Sequence, residues 1–65
     1  MERIWKEGEW ETTQSEYGDV FLNGKLVIAR LPDQDVEAYR DVISDMLFYL
    51  TGNLELSNRT AEYMK

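Results

Sequence analysis

The clearest pattern of apolar and polar positions lies between Val20 and Ile28, where two runs rich in β-forming residues flank the dipeptide Asn23-Gly24. Both central residues of a type I′ turn have positive φ, which asparagine and glycine tolerate better than other residues. The pattern therefore predicts a two-residue β-hairpin whose strands lie within the range Tyr17–Leu31.

The turn also predicts how the two hairpin strands pair. Counting outward from it gives four pairs: Leu22 with Lys25, Phe21 with Leu26, Val20 with Val27, and Asp19 with Ile28. This register predicts two apolar faces, with Val20, Leu22, Val27 and Ala29 on one side and Tyr17, Phe21, Leu26 and Ile28 on the other. Because a helix covers only one face of a hairpin, we expect the first strands, a second copy of the chain or a partner to cover the other.

Further strands are predicted upstream of the hairpin. The segment from Glu9 to Thr13 alternates in character and is followed by the polar run Gln14-Ser15-Glu16. This arrangement is typical of a strand and a turn. The N-terminal strand and the hairpin then make a three-stranded meander, and a short strand around Arg3–Lys6 is a further candidate.

A long helix is predicted after the hairpin. Leu31-Pro32-Asp33 marks its beginning, because proline disfavours a helical conformation in the preceding residue and Asp33 can cap the amides that follow. The helix runs from about Gln34 to Thr51, and Gly52 suits the left-handed residue just beyond its end. Its apolar stripe has seven members: Val36, Tyr39, Val42, Ile43, Met46, Leu47 and Leu50.

A short last helix, Asn58–Met64, is predicted from Ser57, which is a good N-cap residue. The whole chain, residues 1–65, is thus predicted to be one α+β domain. An antiparallel β-meander packs on one long amphipathic helix, and the short C-terminal helix follows.

The size of the chain limits how far it can stabilise itself. A domain of 65 residues buries only about 60% of the surface that its unfolded chain exposes. Cysteine and histidine are both absent, so neither a disulfide nor a common zinc site can reinforce the core. Oligomerisation or docking to a partner is therefore an expected source of stability.

The charge balance restricts the class of partner. Thirteen acidic residues against seven basic ones give a net charge of −6, which repels nucleic acid and anionic membranes. No apolar run approaches the roughly 18 residues of a membrane span, and the segment Met1–Glu7 lacks the apolar region of a signal peptide. We expect a soluble cytoplasmic protein that contacts neither a membrane nor, directly, nucleic acid.

Candidate catalytic groups are few. Without histidine or cysteine the usual nucleophile and base pairs cannot form, and Ser15, Ser44 and Ser57 each have a turn, surface or capping explanation. Carboxylate pairs remain, but a domain of this size has little room for a substrate cleft, and no calcium-loop spacing occurs. The sequence predicts a protein without catalytic residues, metal or cofactor.

The long helix carries the most informative candidate site. Glu37, Asp41 and Asp45 recur at helical spacing on one flank away from the apolar stripe, and Phe48 projects onto the same flank. An aromatic side chain beside a row of carboxylates is typical of a contact patch for a basic protein. The alternative is a solvated helix face, with Phe48 covered by Leu54, Leu56 or Tyr63.

Trp5 and Trp10 are further candidates for partner binding. Tryptophan is common in the energetic centres of interfaces, but in a chain with so little core it also serves as packing mass. We expect Trp10 to belong to the core, and Trp5 to be open to either role.

The segment Leu50–Tyr63 resembles the core of helix-turn-helix regulators, since Ser57, Arg59 and Thr60 match the Ser-x-x-Thr start of a recognition helix. It departs from that family at three positions: Thr51 replaces the small alanine, Gly52 interrupts the first helix, and Glu55 replaces the turn glycine. The resemblance implies DNA binding, but Arg59 and Lys65 are the only bases near it, and phosphate contacts need several.

Taken together, these features predict a non-catalytic regulatory or inhibitory factor of the sort that phages and bacteria encode. It would dock an acidic surface on a basic site of a larger protein. In the most specific version the target binds nucleic acid, and the protein acts as a DNA mimic. The alternative is a structural subunit, in which the spare hairpin face and Trp5 or Trp10 build a homodimer or a larger assembly. A helix-turn-helix regulator is the less favoured third hypothesis.

Overall fold

Four strands and two helices follow one another along the chain, and the computed structural model describes all 65 residues. The elements are β1 (Glu2–Glu7), β2 (Trp10–Gln14), β3 (Val20–Leu22), β4 (Lys25–Ile28), α1 (Val36–Thr51) and α2 (Leu54–Tyr63). The strands form one antiparallel sheet in the order β1-β2-β3-β4. The long helix packs on this sheet, which confirms the predicted α+β meander and adds β1 as a full strand.

The predicted hairpin turn is confirmed. Asn23 and Gly24 have φ values of 48° and 85°, as a type I′ turn requires. Asn23 also holds the turn against β2. Its side-chain oxygen accepts from the Glu11 amide at 2.8 Å, and its side-chain nitrogen donates to the Glu9 carbonyl at 3.2 Å.

The predicted register is wrong beyond the second pair. Val20 pairs with Ile28 rather than with Val27, because a β-bulge inserts Val27 as an extra residue. The bulge turns Ile28 onto the same buried face as Val20 and Leu22. The predicted faces are therefore also wrong: Ile28 lies in the core, whereas Ala29, predicted beside Val20, is exposed.

Asp19 does not pair with Ile28. Its carboxylate instead accepts a hydrogen bond from the Arg30 amide at 2.8 Å. The side chain thus satisfies a backbone donor just beyond the end of β4, where the ladder no longer provides an acceptor.

The core lies between one face of the sheet and the two helices. Its nine buried apolar residues are Val20, Leu22, Ile28, Tyr39, Ile43, Leu47, Leu56, Ala61 and Met64. Two polar bridges join β2 to the C-terminal region. The hydroxyls of Thr12 and Thr60 lie 2.9 Å apart, and the Gln14 amide group exchanges two hydrogen bonds with the backbone of Lys65, at 2.8 and 2.9 Å.

The cap of α1 differs from the prediction. The helix begins at Val36, and Asp35 rather than Asp33 is its N-cap, accepting from the amides of Glu37 and Ala38. Gly52 ends the helix in the left-handed conformation with φ of 66°, as predicted.

The predicted start of the last helix is wrong. Asn53 caps α2 by accepting from the Leu56 amide at 3.0 Å, so the helix begins at Leu54. Ser57 lies inside the helix, fully buried, and donates to the Leu54 carbonyl. Both residues are good caps, and the earlier start is the one that carries Leu56 into the core.

The apolar stripe of α1 is only partly buried. Tyr39, Ile43 and Leu47 are fully enclosed, but Val36, Val42, Met46 and Leu50 keep about two fifths of their surface exposed. The stripe spans about 140° at 100° per residue, whereas the sheet and α2 cover the helix from one side. Neither helix has the length and apolar composition that crossing a bilayer requires.

Candidate protein-binding surface

The predicted acidic residues of α1 lie together on one exposed flank. Glu37, Asp41 and Asp45, which we call the acidic row, follow one another at intervals of four residues and are all exposed. Each is about 6 Å along the helix axis from the next. The four ion pairs of the protein connect Arg3, Arg59 and Lys65 with other carboxylates, and none involves the acidic row.

None of the bases most able to neutralise the row forms an ion pair with it. Arg30 donates to the Gln34 carbonyl at 3.3 Å and lies over the Tyr39 ring. Lys25 is exposed beside the hairpin turn. Arg40 is partly buried and its Nε has no hydrogen-bond partner. The carboxylates of the row therefore face solvent without an internal ion pair.

Phe48 lies on the same flank and remains 48% exposed. Two of the residues expected to cover it are occupied elsewhere: Leu56 is buried in the core and Tyr63 stacks on Trp5. The structure thus brings Phe48 and the acidic row together on α1, three residues after Asp45.

A second exposed feature of α1 was missed in the sequence. Val42, Met46, Tyr49 and Leu50 form what we call the apolar strip, and Tyr49 is 84% exposed. Three of the four had been predicted to lie in the buried stripe. The width of that stripe was the one sign in the sequence that part of it would stay exposed. A shallow depression of about 480 Å³ on this strip is lined by Val42, Asp45, Met46 and Tyr49, so the strip and the acidic row share Asp45 as a border.

Trp5 has an internal role in the structure. Its ring stacks on Tyr63 with centroids 5.4 Å apart, and the Arg59 guanidinium lies 5.7 Å from its ring centroid. Its indole nitrogen donates to the Glu7 carboxylate at 2.9 Å. Trp10 is partly buried against the core. Both tryptophans belong to β1 and β2, and the structure does not place them with the acidic row.

The segment that resembles a recognition helix faces inward. Ser57 and Thr60 are fully buried. Arg59 pairs with Glu55 and Glu62, and the hydrogen bond that it donates to the Glu55 carboxylate raises the pKa of Arg59 above its ordinary value. The three residues that carry the resemblance are therefore engaged with the rest of the protein.

Polar side chains also surround a cleft of about 450 Å³ between the two chain ends and the loop after β2, with Arg30 and Lys65 in its lining. Side chains that ligate metals do not gather into a group of three or more anywhere in the chain.

Comparison with protein-family models, with the sequences of curated proteins and with solved structures finds no significant match to this chain. The acidic row with Phe48, bordered by the apolar strip, is the surface that its own geometry singles out.

Proposed function

We propose that this protein is a non-catalytic binding factor that docks its acidic row on a basic site of a larger protein. The observation that supports this function is the placement of three exposed carboxylates on one flank of α1, none of which forms an ion pair within the protein. A regulatory or inhibitory role follows if the basic site has another ligand to exclude.

The row is electrostatically unfavourable for the isolated helix. Like charges four residues apart destabilise a helix by about 0.2–0.5 kcal/mol per pair, and no ion pair within the fold offsets this cost. Lysine and arginine side chains of a partner would remove the repulsion on binding. The same charges speed association, because a single-sign surface attracts a basic partner over roughly a Debye length.

Phe48 supplies the apolar part of this contact. Interfaces gain most of their free energy from a few aromatic or arginine anchors that become fully desolvated, while charges around them fix orientation. A half-exposed phenylalanine beside Asp41 and Asp45 has this composition.

The most specific form of the proposal concerns a nucleic-acid-binding target. Carboxylates compete for the same lysine and arginine side chains that otherwise hold phosphate. The protein would then act as a DNA mimic of the phage or bacterial kind, excluding nucleic acid from its target without itself binding nucleic acid.

The test is affinity capture from source lysate at about 0.05 M and about 0.5 M salt. We expect a basic protein to be captured at low salt, lost at high salt, and lost from the variant Asp41→Lys/Asp45→Lys. The matched control is Glu9→Lys/Glu16→Lys, which makes the same change in net charge at two exposed acids outside α1. If both variants lose the captured protein equally, net charge alone explains the binding and the proposal is contradicted.

The second candidate function is assembly into a homodimer or larger complex. Its support is the outer face of the sheet, where Leu26 is 55% exposed and pairs with the half-buried Phe21. Light scattering on the free protein separates the two: a dimer that persists at high salt supports assembly, because apolar contacts survive screening.

A further inference from the structure

We infer that the apolar strip of α1 binds the apolar face of a basic amphipathic helix of the partner. This inference rests on the proposed function, because it names the element of the partner that docks beside the acidic row. In this arrangement the partner's apolar residues contact Val42, Met46 and Tyr49. The partner's lysine or arginine residues pair with Asp41 and Asp45.

The strip is a continuous apolar surface rather than a set of scattered residues. Val42, Met46, Tyr49 and Leu50 recur at intervals of three and four residues, which places them side by side on two turns of the helix. All are at least 39% exposed. Contiguous exposed apolar surface bordered by charge is characteristic of a binding site.

The dimensions of the strip fit a helix. From Val42 to Tyr49 the axis rises by about 10 Å, the length over which an amphipathic helix presents anchors at positions i, i+3 or i+4, and i+7. The depression lined by Val42, Met46 and Tyr49 is shallow and open to solvent, so a helix can reach its apolar lining.

Charge selects the kind of helix. Asp45 lines the depression itself, and Asp41 lies one turn before it on the adjacent flank. A helix lying in the depression therefore places the border of its apolar face against two carboxylates that lack an internal partner. Lysine or arginine at that border complements them, and acidic residues there are repelled.

The same charges oppose a second copy of this chain. An antiparallel twofold pairing through the strip would set the two copies of Asp41 and Asp45 on the same side of the interface. Each copy carries a net charge of −6, so the pairing would add like-charge repulsion to the assembly.

The probe for the test is a lysine–leucine peptide of about 18 residues, or five helical turns, with leucine at helical spacing. A scrambled peptide of identical composition is its control. Titration of isotope-labelled protein, followed by amide chemical shifts, should show the helical peptide binding with shifts at Val42, Asp45, Met46 and Tyr49. The scrambled peptide should bind at least about tenfold more weakly.

Two variants locate the contact. Met46→Gln/Tyr49→Ala alters two side chains outside the buried core and should weaken binding of the helical peptide about tenfold, the usual loss for an interface anchor. Leu26→Gln removes an apolar residue that is 55% exposed on the outer face of the sheet and should leave binding unchanged. Far-ultraviolet circular dichroism checks that both variants keep their fold.

Three outcomes overturn the inference. If both peptides bind equally, or if neither binds, the strip does not bind an amphipathic helix. The proposed function is then still tested separately by the capture experiment. A dimer of the free protein that Met46→Gln/Tyr49→Ala dissociates shows that a second copy covers the strip. The proposed function itself fails if Asp41→Lys/Asp45→Lys captures the same proteins as the unmodified chain, or if the control Glu9→Lys/Glu16→Lys loses them equally.

Discussion

The two helices carry acidic side chains in different settings. On α2, Arg59 lies between Glu55 and Glu62 and pairs with both. On α1, the three members of the acidic row pair with nothing. The ion pairs of α2 thus lie within the helix itself. The carboxylates of α1 remain free to pair with lysine or arginine of another molecule.

The aromatic residues follow the same division. Tyr63 of α2 stacks on Trp5 of β1, with Arg59 near the Trp5 ring. On α1, Phe48 and Tyr49 point away from the core and remain exposed. The comparison indicates that α2 is the structural helix and that α1 serves both the core and the outer surface.

Truncation of the buried face of α2 is the most destabilising change that we predict. Leu56→Ala, at the buried face of α2, should lower the free energy of unfolding by about 3 kcal/mol through lost burial and a residual cavity. Leu54→Ala, two residues earlier and 59% exposed, should change it by less than about 0.5 kcal/mol. Urea unfolding measures both. Equal effects would contradict the assignment of α2 to the core.

A middle-sized effect tests how α1 is held on the sheet. The Tyr39 hydroxyl is buried and donates to the Gly18 carbonyl at 2.6 Å. Tyr39→Phe should cost about 1–2 kcal/mol of unfolding free energy, because the carbonyl loses its partner. Unfolding at neutral pH measures this, and Tyr49→Phe, at an exposed position on the same helix, is the control.

The same residue makes stability depend on alkaline pH. Burial, and secondarily the nearby charge of Asp19, raises the pKa of Tyr39 above its ordinary value of 10.0. The folded protein therefore holds this proton more tightly than the unfolded chain does, so its contribution is intact below pH 10 and lost as pH rises beyond that value. Tyr39→Phe should remove this part of the alkaline loss, and Tyr49→Phe should retain it.

Neutralising charges on the two helices should change stability only slightly, and in opposite directions. Asp41→Asn/Asp45→Asn should raise the unfolding free energy by a few tenths of a kcal/mol, because it relieves repulsion within the acidic row. Glu55→Gln should act in the opposite direction, because it removes a paired charge. Both effects should shrink in high salt. If both variants change the unfolding free energy in the same direction, the charges of the two helices do not differ in the way described.

Features determined by local chemistry could be predicted from the sequence. The hairpin turn depends on the backbone freedom of Asn23 and Gly24, and the acidic row depends only on the period of a helix. The placement of Val27 could not be predicted, because an inserted bulge residue leaves no mark in a run that is apolar throughout. Only the packing of Ile28 into the core selects it.

Features determined by the covering surface were less predictable. The period of α1 shows which residues share a face, but not how much of that face its neighbours enclose. Val42 and Met46 are therefore predicted as core residues, although their neighbours leave about two fifths of each exposed. The N-cap of α2 was difficult to predict for the same reason. Both Asn53 and Ser57 are good N-cap residues, and only the burial of Leu56 in the core favours Asn53.

The bridges between β2 and the C-terminal region constrain how the chain assembles. Thr12 and Thr60 are 48 residues apart in sequence, and Gln14 and Lys65 are 51 apart. Closing a loop of about fifty residues costs about 3.5 kcal/mol of chain entropy, beyond a constant term. The meander forms from neighbours in sequence at a much smaller entropic penalty. Docking of α2 is thus the entropically demanding step, and the hydrogen bonds of Gln14 and Thr12 help to hold this longest loop closed.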